Sequence, residues 1–360
     1  MSYFNNLCSY LSTRYRSLED YYNNLQSEEE KKDFVKKTQS LVYGGAENGQ
    51  NDGGGQEFAD LYSVSYVQDL YLLRYMYAYA YEYREMFSRL LSEHDLPKVV
   101  NVLSIGCGNG IDYWALREAL SINEIGEKYV KYTGIDEINW GEQWNKRNGS
   151  YPMSPRDYEY AKYIVEGAVQ YIENVGTLPY NVIVFPKCIG EFSEDEFTNI
   201  CEALRTKEYK FKIEEREYNT KKVHFLISLR KVNGISLTDR NRCMQLKEAM
   251  ENNHFELSDP MTAENFYMED DLPIKERDRG FYYPPDVAES MERMSERIWE
   301  FIQGLEDDEI VQLLGDDEIT QGSEEERNEK IKNRIERTYT PMTRTKYICN
   351  TIMTFQRCQE

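Results

Sequence analysis

The chain has 360 residues, 40% hydrophobic and 13% aromatic, with a formal net charge of −21. That is enough apolar material for a sizeable core, and the acidity argues against a broad nucleic-acid surface, which needs clustered Lys and Arg. Cysteines at 8, 107, 188, 201, 243, 349 and 358 form no C-x-x-C pair, His94, His224 and His254 lack metal-ligand spacing, and no run approaches 18 apolar residues, so the chain reads as a reduced, cytoplasmic protein with no metal site and no membrane span.

Residues 1–42 read as an N-terminal helical arm, helical over 3–40, with Leu7, Leu11, Tyr15, Leu18 and Tyr22 near helical spacing. Such an arm either covers a substrate or binds a partner, or it packs on the main domain. Residues 43–56, rich in glycine from Gly44 to Gly55, read as a flexible linker. Residues 57–98 read as a tyrosine-rich helical cover. Tyr71, Tyr75, Tyr79 and Tyr83 recur every four residues, and Tyr62 and Tyr66 share the step, which puts an aromatic stripe on one helix face. The stretch Tyr75 to Tyr81 also alternates with period two, but the Ala, Met, Leu, Arg and Glu around it favour a helix.

An α/β core is expected over 99–271. A strand at 99–105 runs into Gly106-Cys107-Gly108-Asn109-Gly110, and a helix follows at 111–121. Strand, glycine loop and helix in that order build a ligand site at the carboxyl end of the first strand of an open sheet. The glycines let the backbone approach a ligand, and the helix N-terminus offers unpaired N–H groups. Further strands are expected at 131–136, 162–166, 180–186 and 223–230, with a sixth between Phe255 and Tyr267. Helices are expected at Trp140–Arg147, 168–174, from Ser193 (a capping box with Glu196) and at 237–251, and a loop carries Pro152 and Pro155. Residues 345–360 supply the seventh strand. Between them, 272–344 reads as an acidic helical insertion with helices at 285–303 and 324–337, and 14 acids against 2 arginines from 282 to 325. It is either a selector for a basic substrate or partner, or a solvated helical hairpin. The expected fold class is therefore α/β: a Rossmann-like, seven-stranded, mostly parallel sheet with helices on both faces, an N-terminal helical extension and the acidic insertion.

The dinucleotide fingerprint G-x-G-x-x-G would need glycine where Ile111 stands. Instead, the Gly106–Gly110 spacing, the strand Lys131–Asp136 ending in an acid, and Asn181–Cys188 running into Pro186 together resemble the class I S-adenosylmethionine-dependent methyltransferases over roughly residues 99–230. The resemblance implies S-adenosyl-L-methionine as cofactor. It implies that Gly106, Cys107, Gly108 and Gly110 cradle it, that Asp136 holds the ribose hydroxyls, and that Gly167 and Ala168 lie by the adenine. Pro186 would then open the loop that faces the methyl group. In that loop Lys187 is a candidate anion binder, Cys188 a candidate nucleophile and Glu191 a candidate general base. A helix before the first strand often covers the cofactor in this family, which makes Tyr71, Tyr75 and Tyr79 candidate lining residues. Two positions depart from the pattern: Ser104 stands where an acid is usual, and Ala168 where an Asp is common. The implied activity is in-line methyl transfer to a small molecule or peptide. The alternatives are an RNA or protein methyltransferase working with a basic partner bound at 272–344, and a non-catalytic binding or regulatory protein. No sequence feature sets the acceptor or the oligomeric state.

Overall fold

Strand side chains alternate between the two faces of a sheet, so a strand buried on both faces must be apolar throughout. The computed structural model describes residues 14–43, 60–93, 96, 99–122, 130–140, 161–213, 216–230, 235–258, 266–269, 285–342 and 348–358. Residues 14–23 are helical. The elements that follow are α1 (Glu28–Tyr43), α2 (Ser65–Glu93), β1 (Val100–Ile105), α3 (Ile111–Ile122), β2 (Val130–Asp136), β3 (Ala161–Val165), α4 (Ala168–Asn174), β4 (Thr177–Leu178) and β5 (Val182–Phe185). Then come α5 (Glu194–Thr206), β6 (Glu208–Ile213), β7 (Arg216–Asn219), β8 (Lys222–Ser228), α6 (Leu237–Glu251), β9 (Phe255–Leu257) and β10 (Phe266–Glu269). The chain closes with α7 (Pro285–Ile302), α8 (Asp307–Leu314), α9 (Glu324–Tyr339) and β11 (Ile348–Arg357).

Seven strands form the main sheet in the order β10-β11-β8-β5-β1-β2-β3, and the short β9 pairs with the far end of β11. The strands β8, β5, β1, β2 and β3 are mutually parallel, whereas β11 runs antiparallel to both of its long neighbours, β8 and β10. The strand order reverses between β1 and β5. The alternation is visible in the burial. Val182 and Val184 of β5 join the core on one face, and Ile183 and Phe185 join the core on the other. On the first face lie α2, α3, the helical residues 14–23, α1 and the helices α7 to α9, and on the second lie α4, α5 and α6. This is the expected Rossmann-like, mostly parallel α/β architecture.

Three details differ from the sequence expectation. The helix expected over 3–40 is interrupted after residue 23, and Ser27 and Glu30 form reciprocal capping bonds that start α1. The acidic block Glu306–Glu309 is the cap and first turn of α8, where carboxylates favour the positive end of the helix dipole, and Gly315 ends it in the left-handed conformation (φ 66°). A second, three-stranded sheet, β4-β6-β7, was not foreseen. The linker from residue 44, the helix expected beyond Trp140, the Pro152 and Pro155 loop, and residues 272–284 lie outside the described residues.

The N-terminal helices and the insertion share one core. Phe34, Val35 and Leu41 of α1 pack in the same cluster as Met294 and Ile298 of α7, Ile310 of α8 and Ile335 of α9. Lys32 of α1 pairs with Glu309 at 2.7 Å, and the Thr38 hydroxyl meets that of Tyr339. Arg74 of α2 donates to the carbonyls of Thr338 and Thr340 at the end of α9, each at 3.0 Å, which ties this layer to α2. No helix among the described residues is long and apolar enough to cross a membrane.

Candidate active site

In an open α/β sheet, ligands bind outside the carboxyl ends of the strands where the strand order reverses. Here that point lies between β1 and β5. The loop after β1 curls over β2: the Gly106 and Cys107 N–H groups donate to the Ile135 carbonyl at 2.9 and 3.1 Å. Gly106, Gly108 and Gly110 all have positive φ (67°, 53° and 74°). Gly106 is the most constrained, because a Cβ there would come within 2.8 Å of the Cys188 Sγ. A side chain would add backbone strain and a clash at one position.

Asp136 closes the loop from β2. One carboxylate oxygen accepts the Gly108 N–H at 2.7 Å and the other the Ile138 N–H at 2.9 Å. The carboxylate has further acceptor positions, towards which the Trp140 side chain also turns. The residue is partly accessible but deep in the protein, and burial pushes its carboxyl up to about 6 against those two backbone bonds. The segment that follows is fixed by Gln68 of α2, whose side-chain amide donates to the Asn139 carbonyl at 3.1 Å, and by the Tyr163 hydroxyl on the Ile138 carbonyl at 2.8 Å. This places the Trp140 ring opposite Gly108, 3.8 Å from where a Cβ would sit.

The aromatic stripe of α2 forms the opposite wall. From Tyr66 to Ala80 every residue of α2 is buried except Tyr71, Tyr75 and Tyr79, which are partly accessible. Tyr75 and Tyr79 stack at 5.2 Å, and Tyr71 lies 5.1 Å from Tyr75. Tyr62 and Tyr71 each lie 5.5 Å from Trp140, which continues the aromatic wall to the glycine loop. Tyr66 and Tyr83 of the same stripe are buried in the core.

The loop after β5 brings Pro186, Lys187, Cys188 and Glu191 to the neighbouring strand end. Lys187 has a left-handed backbone (φ 59°), and its ammonium is committed inward. It pairs with Glu82 of α2 at 2.7 Å, donates to the Leu229 carbonyl at 3.1 Å and lies over the Tyr79 ring. Glu82 is fully buried and also accepts the Ser228 hydroxyl at 2.6 Å. Cys188 is buried, its thiol donates to the Ile105 carbonyl at 3.0 Å, and burial raises its pKa well above the ordinary thiol value. That is the setting of an inert thiol. Glu191 is solvent-accessible, and the protein packed around its carboxyl pushes it up to about 7 against the pull of the Arg230 charge. Gly167 and Ala168 lie after β3, where Gly167 caps α4 and a Cβ on it would meet nothing within 4 Å.

Four groups were not among the sequence candidates: Glu82, Trp140, Arg230 and Asp112. Asp112 on α3 is completely buried, accepts the Tyr132 hydroxyl at 2.9 Å and faces Ser104. The acid missing from position 104 is thus present from the helix side, beneath the same loop. Burial raises the Asp112 carboxyl to about 6. The folded chain therefore holds this proton more tightly than the unfolded chain, where the value is about 3.9. Stability from the protonated group is full below about pH 4 and is lost as the pH rises through about 6. Asp112→Asn keeps an acceptor for Tyr132, and its urea-unfolding stability is expected to fall less than that of the parent across that window. Parallel profiles would contradict this.

No protein-family model and no curated protein matches the sequence. Solved structures do. The 1,6-didemethyltoxoflavin-N1-methyltransferase of Burkholderia thailandensis is 15% identical, with 49% of this chain and 69% of that chain covered and a TM-score of 0.33. The plantazolicin methyltransferase BpumL is 11% identical over 92% of this chain and 97% of that one, with a TM-score of 0.30. For the mitomycin 7-O-methyltransferase MmcR the figures are 9% identity, 49% of each chain and a TM-score of 0.30, so this chain spans about half its length. The parallel sheet, with its reversal of strand order beside the glycine loop and the antiparallel β11, gives this chain a Rossmann-like α/β fold.

Proposed function

We propose that the chain is an S-adenosylmethionine-dependent methyltransferase that acts on a small molecule or peptide. The observation that carries this reading is Asp136, a deep but accessible carboxylate that braces a loop of three positive-φ glycines at the switch point of the sheet. The residues present fit the cofactor. Asp136 has acceptor positions left for two ribose hydroxyls. The Asn109 side-chain amide is buried in the loop with no partner among the described residues, a donor facing no acceptor. The tyrosine wall suits a sulfonium, since aromatic faces attract cations by about 0.5–2 kcal/mol.

When bound, the cofactor supplies an electrophilic methyl group. The chain's own part is to position, to exclude water and to move a proton. The loop and Asp136 fix the adenosine side. The α2 tyrosines shield the cleft from solvent. Glu191, at the end of the neighbouring strand, takes a proton from the acceptor.

Glu191 is faced by Arg230, Asp136, Asp239, Cys188 and the hydroxyls of Tyr62, Tyr71 and Tyr79. A base with a pKa of about 7 works when deprotonated, so formation of S-adenosylhomocysteine is expected to rise with pH through about 7. Glu191→Gln should lower the rate by about a hundredfold and remove that rise. The check is a pH–rate profile with deuteromethyl cofactor and a small-molecule and peptide acceptor panel. A profile unchanged by Glu191→Gln would remove Glu191 from the mechanism.

A further inference from the structure

Among the described residues, Lys187 and His254 are the only ones other than glycine with positive φ, and Lys187 stands just beyond β5, at the switch point of the sheet. A left-handed backbone is strained for a lysine. The side chain runs inward to α2, where its ammonium meets Glu82 at 2.7 Å and the Leu229 carbonyl at 3.1 Å. Two apolar side chains would tie α2 to the sheet at least as well as a buried ion pair. The strain and the buried charges therefore point to a use beyond the fold. An ammonium has three N–H donors, and two are spent. The third has no oxygen acceptor among the described residues. The ammonium lies 5.6 Å from the centroid of the Tyr79 ring, and the lysine side chain keeps some exposure.

Tyr79 ends a line of rings. Tyr79 and Tyr75 stack at 5.2 Å with their planes 7° apart, Tyr75 and Tyr71 are 5.1 Å apart, and Tyr71 and Trp140 are 5.5 Å apart. The three tyrosines are partly accessible in a stretch of α2 that is otherwise buried. Trp140 stands opposite Gly108. The line therefore joins the glycine loop, at one end, to the Lys187 ammonium at the other. From Tyr71 to Tyr79 the helix rises about 12 Å, which leaves room for two fused rings and a substituent.

Each class of acceptor meets this arrangement differently. A flat ring gains offset or edge contacts with Tyr75 and Tyr79 that a saturated skeleton of the same outline lacks. A bare hydrocarbon ring would leave the third N–H unpaired. Glu82 already balances the Lys187 charge, so an anion would stand beside it with no cation of its own. A neutral oxygen on a flat ring meets both the rings and the donor.

We infer that the acceptor is a planar aromatic molecule that lies against Tyr75 and Tyr79 and accepts a hydrogen bond from Lys187 through a neutral oxygen, a phenol or a ring carbonyl. The inference rests on the methyltransferase reading and narrows its class of acceptor. Lys187 is the anchor, and Glu82 holds it in place.

The test is titration of the S-adenosylhomocysteine-saturated full chain, at pH 7, with 2-naphthol and with naphthalene, decahydro-2-naphthol and 2-naphthoate, which lack in turn the oxygen, the flat rings and the neutrality. 2-Naphthol is expected to bind about fivefold more tightly than each of the others. The double variant Glu82→Leu with Lys187→Met removes the donor and leaves no buried charge. In it the preference for 2-naphthol over naphthalene should fall below twofold, while the affinities for naphthalene and for S-adenosylhomocysteine stay within twofold of the parent. Tyr75→Leu, which leaves Lys187 in place, should lower the affinity for 2-naphthol about threefold. No measurable binding of 2-naphthol, equal binding of it and any of the other three probes, a preference over naphthalene that survives the double substitution, or an affinity unchanged by Tyr75→Leu would overturn the inference. Failure of the parent chain to bind S-adenosylhomocysteine would instead strike the cofactor reading.

Discussion

Asp136→Ala is expected to weaken binding of S-adenosylhomocysteine by about a hundredfold or more. Two ribose hydroxyls would lose a charged acceptor, at roughly 1.5–3 kcal/mol each, and every 1.4 kcal/mol is about tenfold in affinity. A second loss adds to this. The same carboxylate holds the Gly108 and Ile138 N–H groups, so the loop loses its brace as well as its ligand contact. Equilibrium dialysis with the labelled ligand measures the effect, and a near-UV spectrum like that of the parent shows that the fold is retained. Asp136→Asn should fall between the two, since the amide keeps one acceptor for the loop. Affinity within threefold of the parent in Asp136→Ala would refute the assignment.

Glu82→Ala is expected to cost about 3 kcal/mol of stability, in the range for breaking a buried pair by removing one partner. The Glu82 side chain is fully buried, and that of Lys187 is only 15% exposed. Without the carboxylate, the Lys187 ammonium keeps the Leu229 carbonyl but no counter-charge, and the Ser228 hydroxyl loses its acceptor. The pair also joins α2 to the ends of β5 and β8. Replacing both partners, Glu82→Leu with Lys187→Met, should recover most of the loss, because no charge is then left buried. Urea unfolding reads both variants. A loss below about 1 kcal/mol in Glu82→Ala would mean that the pair does not hold α2 to the sheet.

The parts of the site that were legible in the sequence are those built from neighbouring residues. The Gly106–Gly110 turn, the acid at the end of β2 and the proline at the end of β5 are each local patterns whose meaning follows from strand, turn and helix geometry. The tyrosine stripe was legible for the same reason. Its periodicity could not tell Tyr66 and Tyr83, which are buried, from Tyr71, Tyr75 and Tyr79, which are partly accessible, because that depends on which elements pack against α2. Glu82 was missed because its partners lie far along the chain. Lys187 is 105 residues from Glu82, and Ser228 is 146. The signal was an acid inside an otherwise apolar run, Tyr79-Ala80-Tyr81-Glu82-Tyr83, which must find a partner if buried.

The remaining misses concern charge that hid a pattern. In Glu208-Tyr209-Lys210-Phe211-Lys212-Ile213, charged and apolar residues alternate with period two, the signature of β6, in a highly charged stretch to which no element was assigned. The Ser104 departure had a physical answer that sequence order concealed, since Asp112, in the first turn of α3, stands beneath the same loop.

The S-adenosylmethionine site that we propose lies between the glycine loop, Asp136 and the α2 tyrosines. A crystal structure of the chain grown with S-adenosylhomocysteine tests it most directly. Density for the ligand is expected at the carboxyl ends of β1 and β2, with the ribose hydroxyls on Asp136 and the sulfur facing the tyrosine wall. A ligand bound elsewhere, or a cleft that stays filled by water at saturating ligand, would contradict it.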